Sequence, residues 1–219
     1  MNIAAPHKRD KPAPKQVLDA AAACFMETGY VGTSLDDVAR HMGATKGRIY
    51  HYFASKADLL HAVRKHAMDI NFAAIRPGFE SDLPPVPRFQ KMATAHALNM
   101  LEERAYQRAL FDSLHLHVIG GNSTTDGAMM DDFIADRRAF EDMFRDVLQA
   151  GKQSGEFTFE TMSFALHTIL TLLNGTLSWY SPRPGETADD RQAIARELVE
   201  MSTRALGACE LNDTKGNDL

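Results

Sequence analysis

A chain of 219 residues, 44% hydrophobic and 24% charged, is long enough for one large domain or two smaller ones and has the composition of an ordinary globular protein. Its two cysteines, Cys24 and Cys209, are far apart and have no partner at metal-ligand spacing, which argues against a disulfide framework or a zinc module and fits a reducing cytoplasm. The net charge of −5 hides a split: residues 1–66 carry ten Lys/Arg against six Asp/Glu, giving +4, and the remainder carries 14 against 23, giving −9, so only the first third suits a polyanion.

The chain opens with "MNIAAPHKRDKPAPK", which has charge and prolines but no apolar core. No secretory signal is expected, and residues 1–13 read as a disordered basic tail. Nowhere does an apolar run approach the roughly 18–20 residues that span a bilayer. Pro14 suits a first helical turn, and Val17, Leu18, Ala21, Ala22 and Phe25 then repeat at helical spacing up to Gly29, a natural stop. Ser34 with Asp37 forms a capping signal for a short helix carrying Leu35, Val38, Ala39 and Met42. Gly43 ends it. Thr45 can cap a third helix, whose apolar face Ile49 and Tyr50 start and Phe53 closes. Ser55 with Asp58 repeats the capping signal and opens a longer helix over 56–76. Two short helices joined by "GATK" form a helix-turn-helix pattern.

The proline-rich "RPGFESDLPPVPRF" reads as a loop and as the boundary between the first unit and the rest. Everything downstream reads as helical: "PRFQKMATAHALNMLEER", "AYQRALFDSLHLHVI", "AMMDDFIADRRAFEDMFRDVLQAGKQSG", "FETMSFALHTILTLLNGTLSWY" and "TADDRQAIARELVEMSTRALGA". "EFTFE" is the lone strand candidate. The expected fold is therefore all-α, with a helix-turn-helix unit at 14–60, a linking helix at 56–76, a helical domain at 77–208 and a flexible tail at 209–219.

The stretch "GATKGRIYHYF", 43–53, decides the function. Catalysis needs a nucleophile, an orienting carboxylate or a cofactor loop, and the chain has no G-x-S-x-G, P-loop or dinucleotide fingerprint. His51 lacks a partner at the i+4 spacing of helical zinc sites, so neither metal nor cofactor is expected and no enzymatic role is assigned. A DNA-reading helix needs a donor-rich leading end and an apolar back. Thr45, Lys46 and Arg48 supply the first, and Gly47 permits close approach to phosphate. Tyr50, His51 and Tyr52 can donate along the groove rims. Arg48 can reach guanine O6 and N7 in a bidentate contact. Thr33 and Ser34 before the second helix, and Lys56 at the start of the fourth, are expected to flank the groove, with Thr33 and Lys56 as phosphate clamps.

These residues also carry a resemblance. Residues 16–60, "QVLDAAAACFMETGYVGTSLDDVARHMGATKGRIYHYFASKADLL", resemble the DNA-binding domain of the TetR family of bacterial transcriptional regulators. The pattern lies in Leu18 to Ala21 with Phe25, Gly29-Tyr30, Thr33-Ser34, Ala44 to Gly47, Ile49 to Phe53 and Ser55 to Leu60. Arg48 departs from it, since the family often has a small residue there, and it points to an operator preference of its own. The resemblance implies a homodimeric, cytoplasmic regulator, most often a repressor, with a C-terminal helical domain for ligand binding and dimerisation.

No motif in 77–208 fixes the ligand. The Met- and Phe-rich middle helices suit an apolar effector pocket, with a few polar groups for orientation. The residues expected to line it are Met68, Phe72, His96, Met100, Phe111, His115, Phe144, Leu170 and Asn174. His115 and His117 sit at i, i+2, which a helix points to different faces. "LSWYSPRPGE" resembles the corresponding stretch of family members that respond to acyl-CoA esters. With such a ligand, Arg104, Arg137 or Arg138 would meet the phosphates; the competing effector class is aromatic or drug-like. The apolar helix near 161–180 and the amphipathic one after it, with Ile194, Leu198, Met201 and Leu206, would pair with their copies in a four-helix dimer interface. An enzyme with an incidental helix-turn-helix and a protein-interaction adaptor are the rival readings.

Overall fold

The computed structural model describes residues 15–120 and 127–208, with the side chains of 114–120 excepted. The expected tails, with Cys209, and the side chains of His115 and His117 lie outside the described residues. The described residues form ten helices and no strand: α1 Lys15–Gly32, α2 Leu35–His41, α3 Lys46–Tyr52, α4 Lys56–Phe79, α5 Pro85–Glu102, α6 Arg104–Gly120, α7 Gly127–Ser154, α8 Met162–Asn174, α9 Thr176–Trp179 and α10 Ala188–Ala205. The strand candidate "EFTFE" is instead an irregular link between α7 and α8.

Helix ends follow local chemistry. Ser34 and Asp37 form a full capping box at the start of α2, as Thr187 and Asp190 do for α10. Ser55 and Asp58 satisfy each other's backbone N–H groups at the start of α4. Thr45 occupies the N-cap of α3 without a side-chain capping bond. Gly29 breaks α1 with φ 72, a left-handed conformation that costs glycine nothing. The proline-rich loop is much shorter than the sequence suggests. Pro77 lies within the last turn of α4, and Pro85 takes the first position of α5, where a missing N–H is harmless.

The chain divides into two compact units whose borders differ from the expected ones: residues up to Ile70 with 103–137, and Asn71–Glu102 with 138 onward. The sequence places 103–137 with the ligand-binding part. Packing places it with the first unit, because α6 lies on α1. Tyr106, nearly fully buried, donates its hydroxyl to Asp19 Oδ1 at 2.7 Å, and the His66 ring meets it edge-on at 5.0 Å. Lys65 and Arg64 of α4 reach the first turns of α7, at Asp136 (3.2 Å) and over the Phe133 ring (5.4 Å).

In the second unit α5 packs on α8, α9 and α10, and α8 packs on α10. Its centre is a run of aromatic rings: Phe72 on Phe140, Phe140 on Phe144, Phe144 on Phe89, and Phe89 on Phe157, with centroids 5.6–6.3 Å apart. Gly151 lets Phe157 in. A Cβ there would stand 2.1 Å from the ring. The "SPRPGE" turn is held by Glu186, which accepts from the Tyr180 hydroxyl and pairs with Arg183 and Arg191.

Candidate nucleic-acid interface

The first unit presents a short helix on a firm base. Ile49 is fully buried and Phe53 nearly so, in one core with Val17, Phe25, Leu35, Val38, Leu59 and Val63. Burial of an Ile and a Phe supplies roughly 2–3 kcal/mol each. With that face fixed, Thr45, Lys46, Gly47, Arg48, Tyr50 and His51 are all exposed and Tyr52 is half-buried. Nothing lies within 4 Å of a Cβ built on Gly47, so the surface is open there. The Arg48 guanidinium has no ion-pair or hydrogen-bond partner among the described residues. Lys46 Nζ bonds Asp36 Oδ2 at 2.8 Å and lies 5.3 Å from the Tyr50 ring centroid, and Asp36 raises its pKa. The His51 and Tyr52 rings meet edge-to-face at 4.9 Å. Thr45 to Arg48, Tyr50 and His51 are thus all accessible to solvent around the anchored Ile49.

Two expected phosphate clamps are otherwise engaged. Thr33 is 2% exposed, and its hydroxyl is shared among Thr28 Oγ1 (2.8 Å), Gly29 O (2.7 Å) and Cys24 O (3.2 Å). It stitches the end of α1 to the start of α2. Lys56 turns inward: its ammonium donates to Tyr30 O (2.7 Å), Thr33 O (2.8 Å) and Val31 O (3.4 Å) and lies 4.4 Å from the Tyr30 ring centroid. An ammonium has three protons, and all three are in use. Both residues hold the turn that aims α2 and α3 rather than offering a donor to phosphate. Ser34 is exposed, with its hydroxyl donating to Asp37 Oδ2 at 2.6 Å and accepting from the Asp37 N–H. That contact, the N–H of Ser34 and Arg40 hold the Asp37 carboxyl down at about 2.

The expected pocket residues are divided between the two units. Met68 and Phe111 belong to the first unit; Phe72, His96, Met100, Phe144, Leu170 and Asn174 belong to the second. Arg104 and Arg137 fall in the first unit as well, and Arg138 in the second. Within the second, His96 Nε2 lies 2.9 Å from Asn174 Oδ1, and the His96 ring meets Phe140 at 5.3 Å and Phe144 at 6.0 Å. Burial pushes the His96 pKa down to about 4, against the opposing pull of the Asn174 bond. Phe140 also meets Phe72 and so joins it to His96; its i, i+4 spacing to Phe144 is its signal in the sequence. A groove of about 860 Å³ lined by Pro84, Val86, Gln90, Glu156, Glu200 and Arg204 takes none of the expected pocket residues. No group of three His, Cys, Asp or Glu among the described residues is placed to hold a metal, and no described helix is long and apolar enough to cross a membrane.

Residues 17–63 match the bacterial regulatory proteins of the tetR family, and residues 82–206 match the tetracyclin repressor-like C-terminal domain. The chain is 34% identical over 80 residues to the HTH-type transcriptional repressor KstR2 of Mycobacterium tuberculosis, a match spanning 36% of this chain and 40% of that one. The solved ketosteroid transcriptional regulator KstR2 of the same organism superposes with a TM-score of 0.74 at 21% identity, covering 91% of this chain and 98% of that one. AibR, solved in complex with isovaleryl coenzyme A and operator DNA, gives 0.70 at 20% identity, covering 85% and 96%. At these identities the two structures speak for the fold.

Two outcomes follow from the site's geometry. Lys56→Ala should destabilise the protein by roughly 1–3 kcal/mol through three lost charge-assisted bonds. It should also leave the slope of log K against log salt within less than one unit of the parent, since no phosphate contact is lost. Thermal unfolding and DNA titrations at several salt concentrations measure the two. For His96, the folded value near 4 lies below the unfolded value near 6.5, so the proton favours the unfolded chain. Its share of stability, of order 3 kcal/mol, is complete above about pH 6.5 and lost as pH falls toward 4. Urea unfolding at pH 7 and pH 4.5 should show that loss in the parent and a smaller one in His96→Phe.

Proposed function

Because the chain belongs to the TetR family of bacterial regulatory proteins, we propose that it is a homodimeric, ligand-responsive regulator that binds operator DNA through α3 and is released by a lipophilic effector. The observation that carries this reading is the exposed edge Thr45-Lys46-Gly47-Arg48 on a helix anchored by Ile49. An unengaged guanidinium at the groove-facing end suits guanine O6 and N7. Lys46, Tyr50, His51 and Tyr52 would take phosphates or base edges beside it. Operator selection from a random DNA pool should return a sequence with a guanine that Arg48 reads. Arg48→Ala should cost about 1–3 kcal/mol on that operator and relax preference at that base. Equal losses on operator and random DNA would remove Arg48 from the reading role.

Dimerisation is supported by an apolar face left open on the second unit. Phe164 of α8 is 74% exposed and Met201 of α10 is 51% exposed, with Ile194, Leu198 and Ala205 continuing the α10 stripe. Exposed apolar surface of this kind marks an interaction site. A twofold pairing of these helices would place two heads on half-sites about 34–36 Å apart, or a multiple of it. Sedimentation should give twice the 24.3 kDa chain mass for the parent. Met201→Asp, which buries a charge in that contact, should shift the protein toward one chain mass and weaken operator binding with it.

For the effector, AibR's complex with isovaleryl coenzyme A lends weight to an acyl thioester, and the apolar second unit suits it. Release of operator DNA by long-chain acyl-CoA, against a panel of aromatic drug-like compounds, separates the two classes. The reading places the protein in the cytoplasm and gives it no catalytic step.

A further inference from the structure

Effector binding in the second unit leaves open what chemistry that unit recognises, and His96 narrows it. The carbonyl oxygen of Asn174 can only accept, so the His96 Nε2 beside it must carry a proton and donate. Burial keeps the ring neutral at ordinary pH, and a neutral imidazole holds a single proton. Nδ1 is therefore a bare lone pair. It is buried and has no hydrogen-bond partner among the described residues. A buried acceptor without a donor is costly, and native structures rarely keep one without a reason. A trapped water is a poor answer: it needs two to four polar partners, whereas the ring neighbours of His96 are Phe140 and Phe144. A second unmet group lies close in sequence to Asn174. The hydroxyl of Thr176, 1% exposed and just past Gly175, also has no hydrogen-bond partner among the described residues.

We propose that His96 Nδ1 accepts a hydrogen bond from the effector, so that the effector is a lipophilic molecule carrying a hydroxyl or N–H donor on the part that enters the Phe72, Phe140 and Phe144 cluster. This rests on the effector-binding reading of the same unit. A saturated acyl chain alone does not meet this lone pair, because an alkyl tail and a thioester carbonyl offer no donor; in an acyl-CoA the donor would be a hydroxyl on the chain or an N–H of the pantetheine arm. A phenol, an alicyclic alcohol or a hydroxylated acyl chain qualifies. The rings supply area, and the lone pair supplies orientation and selectivity. A site built to bond a hydroxyl discriminates strongly against the analogue that lacks it, since the analogue leaves the buried acceptor unmet.

The test is a cycle of two probes and two proteins, 2-naphthol and naphthalene against the parent and His96→Phe, read as dissociation constants by calorimetry. The parent should prefer 2-naphthol over naphthalene by about five- to tenfold more than the variant does, the worth of one hydrogen bond. Because His96→Phe changes packing for both probes alike, the double ratio isolates the bond. Equal preference in the two proteins overturns the proposal, and so does failure of both probes to bind the parent. Should His96→Phe not fold, ¹⁵N spectra of the parent's histidines decide: the Nδ1 resonance of His96 should move on adding 2-naphthol and stay on adding naphthalene, and an unmoved resonance overturns the proposal. Operator selection fails or succeeds independently of these measurements, so loss of the regulatory reading and loss of this one are told apart.

Discussion

A helix of seven residues has no stability of its own, since isolated helices shorter than about 12–15 residues are marginal in water. The recognition edge proposed for the first unit sits on such a helix, α3, so its existence depends on burying Ile49 and the adjoining Phe53. That constraint explains the division of labour in "TKGRIYHYF". Ile49 and Phe53 anchor it, Tyr52 packs half-buried against the same core, and the others face outward because the anchor fixes the helix about its axis. Gly43, Thr33 and Lys56 then set where the anchored helix can stand. Lys56 ties three carbonyls of the α1–α2 connection to the start of α4, and Thr33 bonds back to the last turns of α1. The cations with the most apparent freedom to bind an anion are therefore fewer than their number suggests.

Electrostatics reinforce this economy. Lys46 is exposed yet held by Asp36, and an exposed pair of this kind is weak enough to exchange for a phosphate. Arg48 has no such partner among the described residues. The two cations therefore differ in kind: one must leave a carboxylate before it can act, and the other is available at once. Within the same unit, Tyr106 shows the opposite strategy, a phenol buried so that burial and its bond to Asp19 push its pKa up and keep it a neutral donor. With its donor neutral and buried, such a bond is less sensitive to salt than the contacts on the α3 edge, which are exposed to screening.

Much of the first unit was legible in the sequence because its signals are local. Two S-x-x-D capping boxes, a glycine stop and an i, i+4 apolar pair mark helix starts, ends and faces within a few residues, and each appears where the spacing places it. The roles of Thr33 and Lys56 were not legible for the converse reason. Lys56 meets carbonyls 23 to 26 residues earlier, and main-chain oxygens carry no sequence signature. The packing of 103–137 with the first unit was hidden for the same reason. Prolines suggested a break after residue 76, but Pro77 fits the last turn of α4, and the packing of α6 on α1 is visible only once Tyr106 is seen to reach Asp19 across 87 residues.

The second unit was legible in class and not in detail, and its aromatic residues show why. Phe72, Phe89, Phe140, Phe144 and Phe157 are interchangeable to any periodicity argument, since each simply marks an apolar face. What distinguishes them is the neighbour each touches, and the informative neighbour is polar. His96 and Asn174 lie 78 residues apart and meet in one hydrogen bond that fixes the tautomer of the ring. Fixing the tautomer leaves a lone pair facing an apolar environment, and a folded protein does not keep such a group without cost. The physical content of the site is thus carried by an unmet bond rather than by a motif. A sequence can display a histidine in an apolar helix, but only the fold can show which of its nitrogens is already spoken for.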